Sequence, residues 1–156
     1  NHPSVIQRPF FDTDAMAMVP KGHPLELLES VTAEQMAEHD IIALAPGLRP
    51  RFQMEEIFHS AGVELTCKIE TTSSVLACQM VVEGLGVTII DRLAALAVDE
   101  SRYSLLPLNP SYRLQFVLLF PPGFEETPAT KSLVRCLSNQ VRESLGEHAV
   151  MTSDTD

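Results

Sequence analysis

Apolar residues recur along much of the chain at the three- and four-residue intervals of an amphipathic helix. The apolar faces are Met54, Ile57, Phe58 and Ala61; Cys78, Val81, Val82 and Leu85; and Leu133, Leu137, Val141 and Leu145. Thr32 and Gln35 have the spacing of a capping box, which predicts a shorter helix after Thr32. Thr127 followed by Pro128 is a typical helix start. The pattern therefore predicts helices spread over the whole chain.

Between these helices lie short runs typical of β-strands. They cover residues 14–20, 40–44, 63–70, 87–90 and 114–120. Residues 63–70 alternate between apolar and polar, which predicts one covered face. Residues 114–120 are almost wholly apolar, which predicts a strand covered on both faces. Because strands alternate with helices, the sequence favours parallel pairing in an open α/β sheet.

Small or polar residues follow three of these strands. They are Ala45, Pro46, Gly47 and Leu48; Thr71, Thr72, Ser73 and Ser74; and Asp91. In open α/β sheets, ligands bind beyond the carboxyl ends of the strands, where helix N-termini point. We therefore expect these residues to line one ligand-binding edge.

Each of these segments also has a purely structural interpretation. The hydroxyls of residues 71–74 suit an anion at a helix N-terminus, but they would equally cap that helix. The turn at residues 45–48 can wrap a ligand with its backbone or be an ordinary surface turn. Asp91 would favour an amine or guanidinium as a ligand group, although capping the next helix is its first expected role.

Two arginines are candidates for binding an effector carboxylate. Arg49 and Arg51 follow the 45–48 turn, and a guanidinium can hold a carboxylate by two parallel hydrogen bonds. The alternative for each is a solvated side chain flanking a helix.

No pattern in the sequence points to catalysis or to a metal. His39 and His59 lack the spacing of metal ligands. The three cysteines have no neighbouring histidine that would activate a nucleophile. Gly84-Leu85-Gly86 precedes a strand, whereas a dinucleotide-binding loop follows one. We expect no catalytic residue, no metal and no cofactor.

Charge and cysteine content restrict the partners. The formal net charge is −10. A surface this acidic repels phosphate, so if the whole protein binds DNA, another segment must do so. Cys67, Cys78 and Cys136 are odd in number and lie in apolar stretches, which indicates reduced thiols and a cytoplasmic location. No apolar run approaches the roughly 18 residues of a membrane span, so we expect no membrane partner.

Three stretches in the same order resemble the effector-binding domains of LysR-type transcriptional regulators. They are MVPKGHPLELLESVTAEQMAEHDIIAL, IETTSSVLACQMVVEGLGVTIIDRLAALA and LPLNPSYRLQFVLLFPPG. The first is similar to the family's basic-Gly-His-Pro-Leu turn, short helix and strand. The second resembles its Ser/Thr cluster, helix, Gly-Leu-Gly and apolar strand. The resemblance covers roughly residues 10–145.

The resemblance implies a fold like the type 2 periplasmic binding proteins, with two α/β lobes joined by two crossing strands and an effector between them. Residues 1–29 would end the first lobe and include the first crossing, at residues 14–20. Residues 30–108 would form the second lobe. Residues 109–145 would contain the second crossing, at 113–120, and a helix returning to the first lobe. We expect residues 146–156 to be a disordered tail, and most of the first lobe to lie outside this chain.

The implied function is ligand sensing by a cytoplasmic, non-enzymatic regulator that forms a homodimer or homotetramer. The regulator would contact DNA through an N-terminal winged helix-turn-helix that this chain does not contain. Most members have proline where this chain has Asp91, and a polar residue there resembles the branch that responds to opines and basic amino acids. The alternative is a solute-binding protein of a transport system. An enzyme on a related two-lobed fold has no catalytic constellation to support it.

Overall fold

The chain passes twice between two structural units. A computed structural model describes residues 5–152. One unit comprises residues 14–112, and the other comprises residues 5–13 and 113–152 of the described chain. These boundaries differ from the predicted ones near residues 29 and 108. They differ because the strand at Met16–Pro20 pairs inside the larger unit rather than ending the smaller one.

The described residues form strands and helices in alternation over most of the chain. The strands are β1 (Ile6–Asp14), β2 (Met16–Pro20), β3 (Ile42–Leu44), β4 (Ile69–Thr71), β5 (Thr88–Ile90), β6 (Tyr103–Pro107), β7 (Arg113–Phe120) and β8 (Val150–Met151). The α-helices are α1 (Ala33–Ala37), α2 (Arg49–Ser60), α3 (Ser74–Val82), α4 (Arg92–Ala95) and α5 (Pro128–Leu145). Short 3-10 helices span Pro24–Leu27, Glu100–Arg102 and Gly146–His148. No helix in the described part of the chain is long and apolar enough to cross a membrane.

The larger unit is built on a mixed sheet. β3 and β4 are parallel, with Ile42 opposite Ile69. Ile41 forms a parallel bridge with Val87, and the Ile42 N–H donates to the Val87 carbonyl over 2.9 Å. β2 runs antiparallel to both β5 and β6. The strand order is therefore β4-β3-β5-β2-β6, and the predicted parallel pairing is confirmed for β3, β4 and β5 but not for β2.

The core of the larger unit lies between α3 and the sheet. The buried helix residues are Ala77, Cys78, Val81 and Val82, and the buried strand residues include Met18, Ile42, Leu44 and Ile90. The helical face predicted from Cys78, Val81 and Val82 is thus confirmed. Leu85, predicted for the same face, is instead 48% exposed, because α3 ends at Val82 and Gly84 takes a positive φ of 75°.

Two further helix predictions agree with the structure. Met54, Ile57 and Phe58 are the buried residues of α2. Thr32 and Gln35 form both bonds of the capping box at the start of α1. Local sequence signals were sufficient here because both features depend on residues a few positions apart.

The strand predicted over residues 63–70 forms only at its end. Hydrogen-bonded pairing with β3 covers Ile69–Thr71. Burial nevertheless alternates through the whole segment, since Val63 and Leu65 are half-buried and Glu64 and Thr66 are exposed. The alternating pattern therefore predicted correctly which side of the segment is covered. The earlier residues do not form a strand, because β3 has only three residues to pair with.

In the smaller unit, β1 lies between β7 and β8 in a three-stranded sheet. The sequence predicted that β7 is covered on both faces, but Leu119 is 61% exposed. The predicted disordered tail from residue 146 also differs from the structure, because Val150 and Met151 pair with Asp12 and Phe11 of β1. Residues 153–156 lie outside the described residues.

Helix α5 buries only part of the predicted face. Its buried residues are Val134, Ser138, Val141 and Leu145, whereas Leu133 and Leu137 are 58% and 42% exposed. Val141 and Leu145 are thus buried as predicted, and Val134 and Ser138, each one residue after a predicted leucine, are buried in place of Leu133 and Leu137. Ser138 tolerates burial because its hydroxyl donates to the Val134 carbonyl over 2.9 Å.

The residues just before β5 approach Asp40, two residues before β3, and this approach depends on Gly86. A Cβ at this position would lie 2.3 Å from the Asp40 carbonyl oxygen. The same oxygen accepts a 2.9 Å hydrogen bond from the Val87 N–H, which joins the two strands. Only glycine allows this contact without displacing the backbone.

We predict that Gly86→Ala lowers the free energy of unfolding by about 1–3 kcal/mol, because the added methyl group overpacks a backbone contact. Gly84→Ala is the matched control: Gly84 also has a positive φ, but a Cβ at Gly84 would have no neighbouring atom within 4 Å. Its expected cost is about 1 kcal/mol from backbone strain alone. Urea denaturation measures both. If Gly86→Ala lowers the free energy of unfolding no more than Gly84→Ala does, the Asp40–Val87 contact does not require glycine.

Candidate functional site

Three predicted binding segments follow three neighbouring parallel strands. The turn at residues 45–48 follows β3, residues 72–74 follow the end of β4, and Asp91 follows β5. Because β3 is parallel to β4 and to β5 through the Ile41–Val87 bridge, their carboxyl ends lie at one edge of the sheet. The structure therefore brings these segments together in the larger unit.

The turn at residues 45–48 is joined directly to β4. The Ala45 N–H donates to the Thr71 carbonyl over 2.8 Å, which extends the β3–β4 pairing by one bond. The turn closes through the Leu48 N–H and the Ala45 carbonyl, at 3.3 Å. Gly47 has a positive φ of 88°, and both Pro46 and Gly47 are exposed. The turn thus presents backbone to solvent beside the hydroxyl cluster.

The four hydroxyl residues divide into two pairs. Thr71 is buried and its Oγ1 accepts from the Ser73 N–H over 3.3 Å. Ser73 is the N-cap of α3, and its Oγ accepts from the Leu76 N–H over 3.4 Å. Within the described residues, the hydroxyls of Thr72 and Ser74 have no hydrogen-bond partner, and Thr72 is exposed. Thr71 and Ser73 therefore hold the backbone, while Thr72 and Ser74 remain available to a ligand.

Asp91 provides a carboxylate at the same edge. Its Oδ1 accepts from the Ala94 N–H over 2.9 Å, so the expected capping role is observed. The pKa of the Cys78 thiol is raised to about 11, first by burial and then by the nearby charge of Asp91. Asp91 thus lies close to α3 and places one negative charge next to its first turns.

The two candidate arginines have different surroundings. Arg49 is exposed in the first turn of α2. Arg51 is paired with Glu55 at 2.7 Å and with Glu70 at 2.8 Å, and its side chain is only 11% exposed. Two carboxylates of the protein already match the charge of Arg51, so of the two, Arg49 has the guanidinium open to solvent.

A small cavity in the larger unit lies outside the predicted binding segments. It is lined by residues that include Val31, Ile57, Leu108 and Tyr112, and its volume of about 40 Å³ is room for a few water molecules. In residues 5–152 no group of three or more His, Cys, Asp or Glu side chains could hold a metal ion.

Comparison with known proteins identifies the family. The sequence profile described as "LysR substrate binding domain" matches residues 1–142. The chain belongs to this family.

A curated relative of the LysR domain is the regulatory protein NocR of Agrobacterium tumefaciens, strain T37. It is 26% identical over 121 residues, which cover 78% of this chain and 40% of NocR. The LysR domain described here therefore spans well under two thirds of the length of this relative.

Solved structures show the same fold. HinK, a LysR family transcriptional regulator from Pseudomonas aeruginosa, superposes with a TM-score of 0.75 at 14% identity, covering 90% of this chain and 49% of HinK. The effector-binding domain of QuiR, solved in complex with shikimate, has a TM-score of 0.71 at 16% identity, covering 92% of this chain and 67% of QuiR. The LysR domain thus has the type 2 periplasmic-binding-protein-like fold that the resemblance implied.

Two properties of the site in this LysR domain were not apparent from the sequence. The first is which of the four hydroxyls bond the backbone, because this depends on which N–H groups each side chain reaches. The second is that Arg51 is held in two ion pairs. Only the pair with Glu55 could have been predicted from the sequence, because Glu55 lies four residues later on the same helix. The pairing of Arg51 with Glu70, nineteen residues away, depends on the β3–β4 register and has no such local signal.

Proposed function

We propose that this LysR domain is the sensing part of a transcriptional regulator and binds a small amphoteric effector, such as an amino acid or an opine-like derivative. The observation that carries the proposal is that the Thr72 and Ser74 hydroxyls, which have no hydrogen-bond partner in the described residues, lie at the same sheet edge as the Asp91 carboxylate. Hydroxyls at a helix N-terminus suit a carboxylate. The carboxylate of Asp91 suits an amine or guanidinium.

The turn at residues 45–48 completes the proposed site. Its exposed backbone at Pro46 and Gly47 allows an effector to approach closely. Arg49 adds a cation near the same turn, which suits an effector that carries a carboxylate. Arg51 was a second candidate of this kind, but its ion pairs with Glu55 and Glu70 favour a structural role instead.

DNA binding is assigned to another part of the protein. The net charge of this chain is −10, which opposes contact with phosphate. NocR is named a regulatory protein and is much longer than the matched segment. We therefore propose that a winged helix-turn-helix outside this chain contacts DNA, in a cytoplasmic and non-enzymatic regulator. The transport alternative is not favoured, because the family assignment is to LysR domains.

The proposed regulator is a homodimer or homotetramer. Residues 64–67 lead into β4 with alternating burial, and in the described part of the chain their backbone groups make no hydrogen bond to another strand, which leaves them for another chain. Helix α2 precedes this segment and exposes Phe52, 59% accessible. In our proposal α2 and residues 63–70 pack against the first lobe of a partner copy, in an antiparallel pair.

We predict that amino-acid-like effectors bind the whole protein and that Thr72→Ala weakens them about ten- to a hundredfold, the loss expected for one charge-assisted hydrogen bond. Asp91→Asn should weaken basic effectors selectively, since asparagine can keep the bond from the Ala94 N–H while it removes the charge. Isothermal calorimetry with a basic and a neutral amino acid measures both effects.

Ser111→Ala is the control for this experiment, because Ser111 is exposed in the same unit and outside the proposed site. It should leave the dissociation constants unchanged. An effector whose affinity is unaffected by both Thr72→Ala and Asp91→Asn would refute the site.

We further predict that the whole protein is a dimer or larger in light scattering and that Phe52→Glu weakens the association, because a buried charge would replace an aromatic contact. Leu27→Glu is the matched control, since Leu27 is 90% exposed in the same unit but lies outside α2. A strict monomer at high concentration, or dissociation by Leu27→Glu alone, would contradict the proposed surface.

A further inference from the structure

The side chain of Arg51 connects the two strands that carry the proposed binding segments. Its Nη1 donates to the Leu44 carbonyl over 3.3 Å and to Glu70 Oε1 over 2.8 Å. Its Nε donates to Glu55 Oε1 over 2.7 Å. Leu44 is the last residue of β3, and Glu70 is the residue of β4 that precedes Thr71. One guanidinium therefore contacts both strand ends from helix α2.

The start of α2 has little else to fix it. Leu48 is the N-cap residue and makes no side-chain capping bond. Pro50 in the first turn has no N–H to donate. The bond from Arg51 back to Leu44 closes the segment from residue 44 to residue 51 and so fixes where α2 starts relative to β3, although it does not bind the N–H groups that a side-chain cap would bind.

The contacts of Arg51 also explain why its charge is tolerated at low exposure. Glu55 and Glu70 flank it, and the Sγ of Cys67 lies 3.5 Å from Nη1. The hydrogen bond to Glu55 is the largest cause that raises the pKa of Arg51 above its usual value. A planar guanidinium can serve these acceptors at once, whereas a lysine ammonium is a single point.

We propose that Arg51 is a positioning residue of the effector site: by bridging Leu44 and Glu70 it holds the turn at residues 45–48 against the Thr71 end of β4. The direct bond between these segments, from the Ala45 N–H to the Thr71 carbonyl, is the contact that Arg51 protects. The proposal rests on the proposed function for its link to effector binding. Its structural part concerns this bond alone.

Residue-resolved amide hydrogen exchange on the whole protein tests the structural part without a ligand. Arg51→Gln should speed exchange of the Ala45 N–H about ten- to a hundredfold through local opening. The Ile42 N–H, bonded to Val87 in the same sheet, serves as the internal reference and should change much less. Arg51→Lys should give an intermediate exchange rate, because lysine keeps the positive charge but lacks the planar set of N–H donors of a guanidinium.

Two further variants make the test sharper. Glu70→Gln removes one carboxylate partner of Arg51. The Glu70 side chain is 45% exposed, so this change should speed exchange of the Ala45 N–H without unfolding the protein. Arg102→Gln is the matched control, because Arg102 also contacts one carboxylate, Glu83, and one carbonyl, Val82, at the far end of α3. It should leave Ala45 exchange unchanged.

The outcomes separate this inference from the proposed function. Equal acceleration at Ala45 and Ile42 in Arg51→Gln would mean that Arg51 only adds general stability, and the inference would be wrong. If effectors bind the unaltered protein, Arg51→Gln should weaken them about tenfold or more, and unchanged affinity would also overturn the inference. If no effector binds the unaltered protein, the proposed function fails, while the exchange data still decide the role of Arg51.

Discussion

The parallel pairing of β3 with β4 on one side and β5 on the other determines where the chemistry of this domain lies. Backbone hydrogen bonds around Ile41 and Ile42 link all three strands. Parallel strands end at the same edge, so the residues that follow Leu44, Thr71 and Ile90 must meet there. Gly86 permits this arrangement, because any side chain at that position would press on the Asp40 carbonyl.

At this edge the same residue types serve two purposes. Thr71, Ser73 and Asp91 each accept a hydrogen bond from a backbone N–H group, and these bonds fix the starts of α3 and α4. Thr72 and Ser74 make no such bond in the described residues. In the proposed site, the capped helices would hold the unpartnered hydroxyls in place before a ligand arrives, which is preorganisation.

The sequence predicted features that depend on neighbours in the chain and missed those that depend on distant contacts. The capping box at Thr32 and the buried face of α2 followed from local pattern. The common edge of the strand ends was expected for another reason, because strands that alternate with helices favour parallel pairing. The first half of the buried face of α5 was missed, because burial of Ser138 in place of Leu137 is decided by what packs on the helix. The short extent of β4 and the pairing of Arg51 with Glu70 likewise depend on the register between strands.

We propose that one sheet edge binds both charged groups of an amphoteric effector. A crystal structure of the whole protein with a basic amino acid bound would test this proposal. We expect the carboxylate of the amino acid within hydrogen-bond distance of the Thr72 and Ser74 hydroxyls, and its cationic group at Asp91. An amino acid bound elsewhere in the protein, with Thr72, Ser74 and Asp91 all in contact only with water, would contradict it.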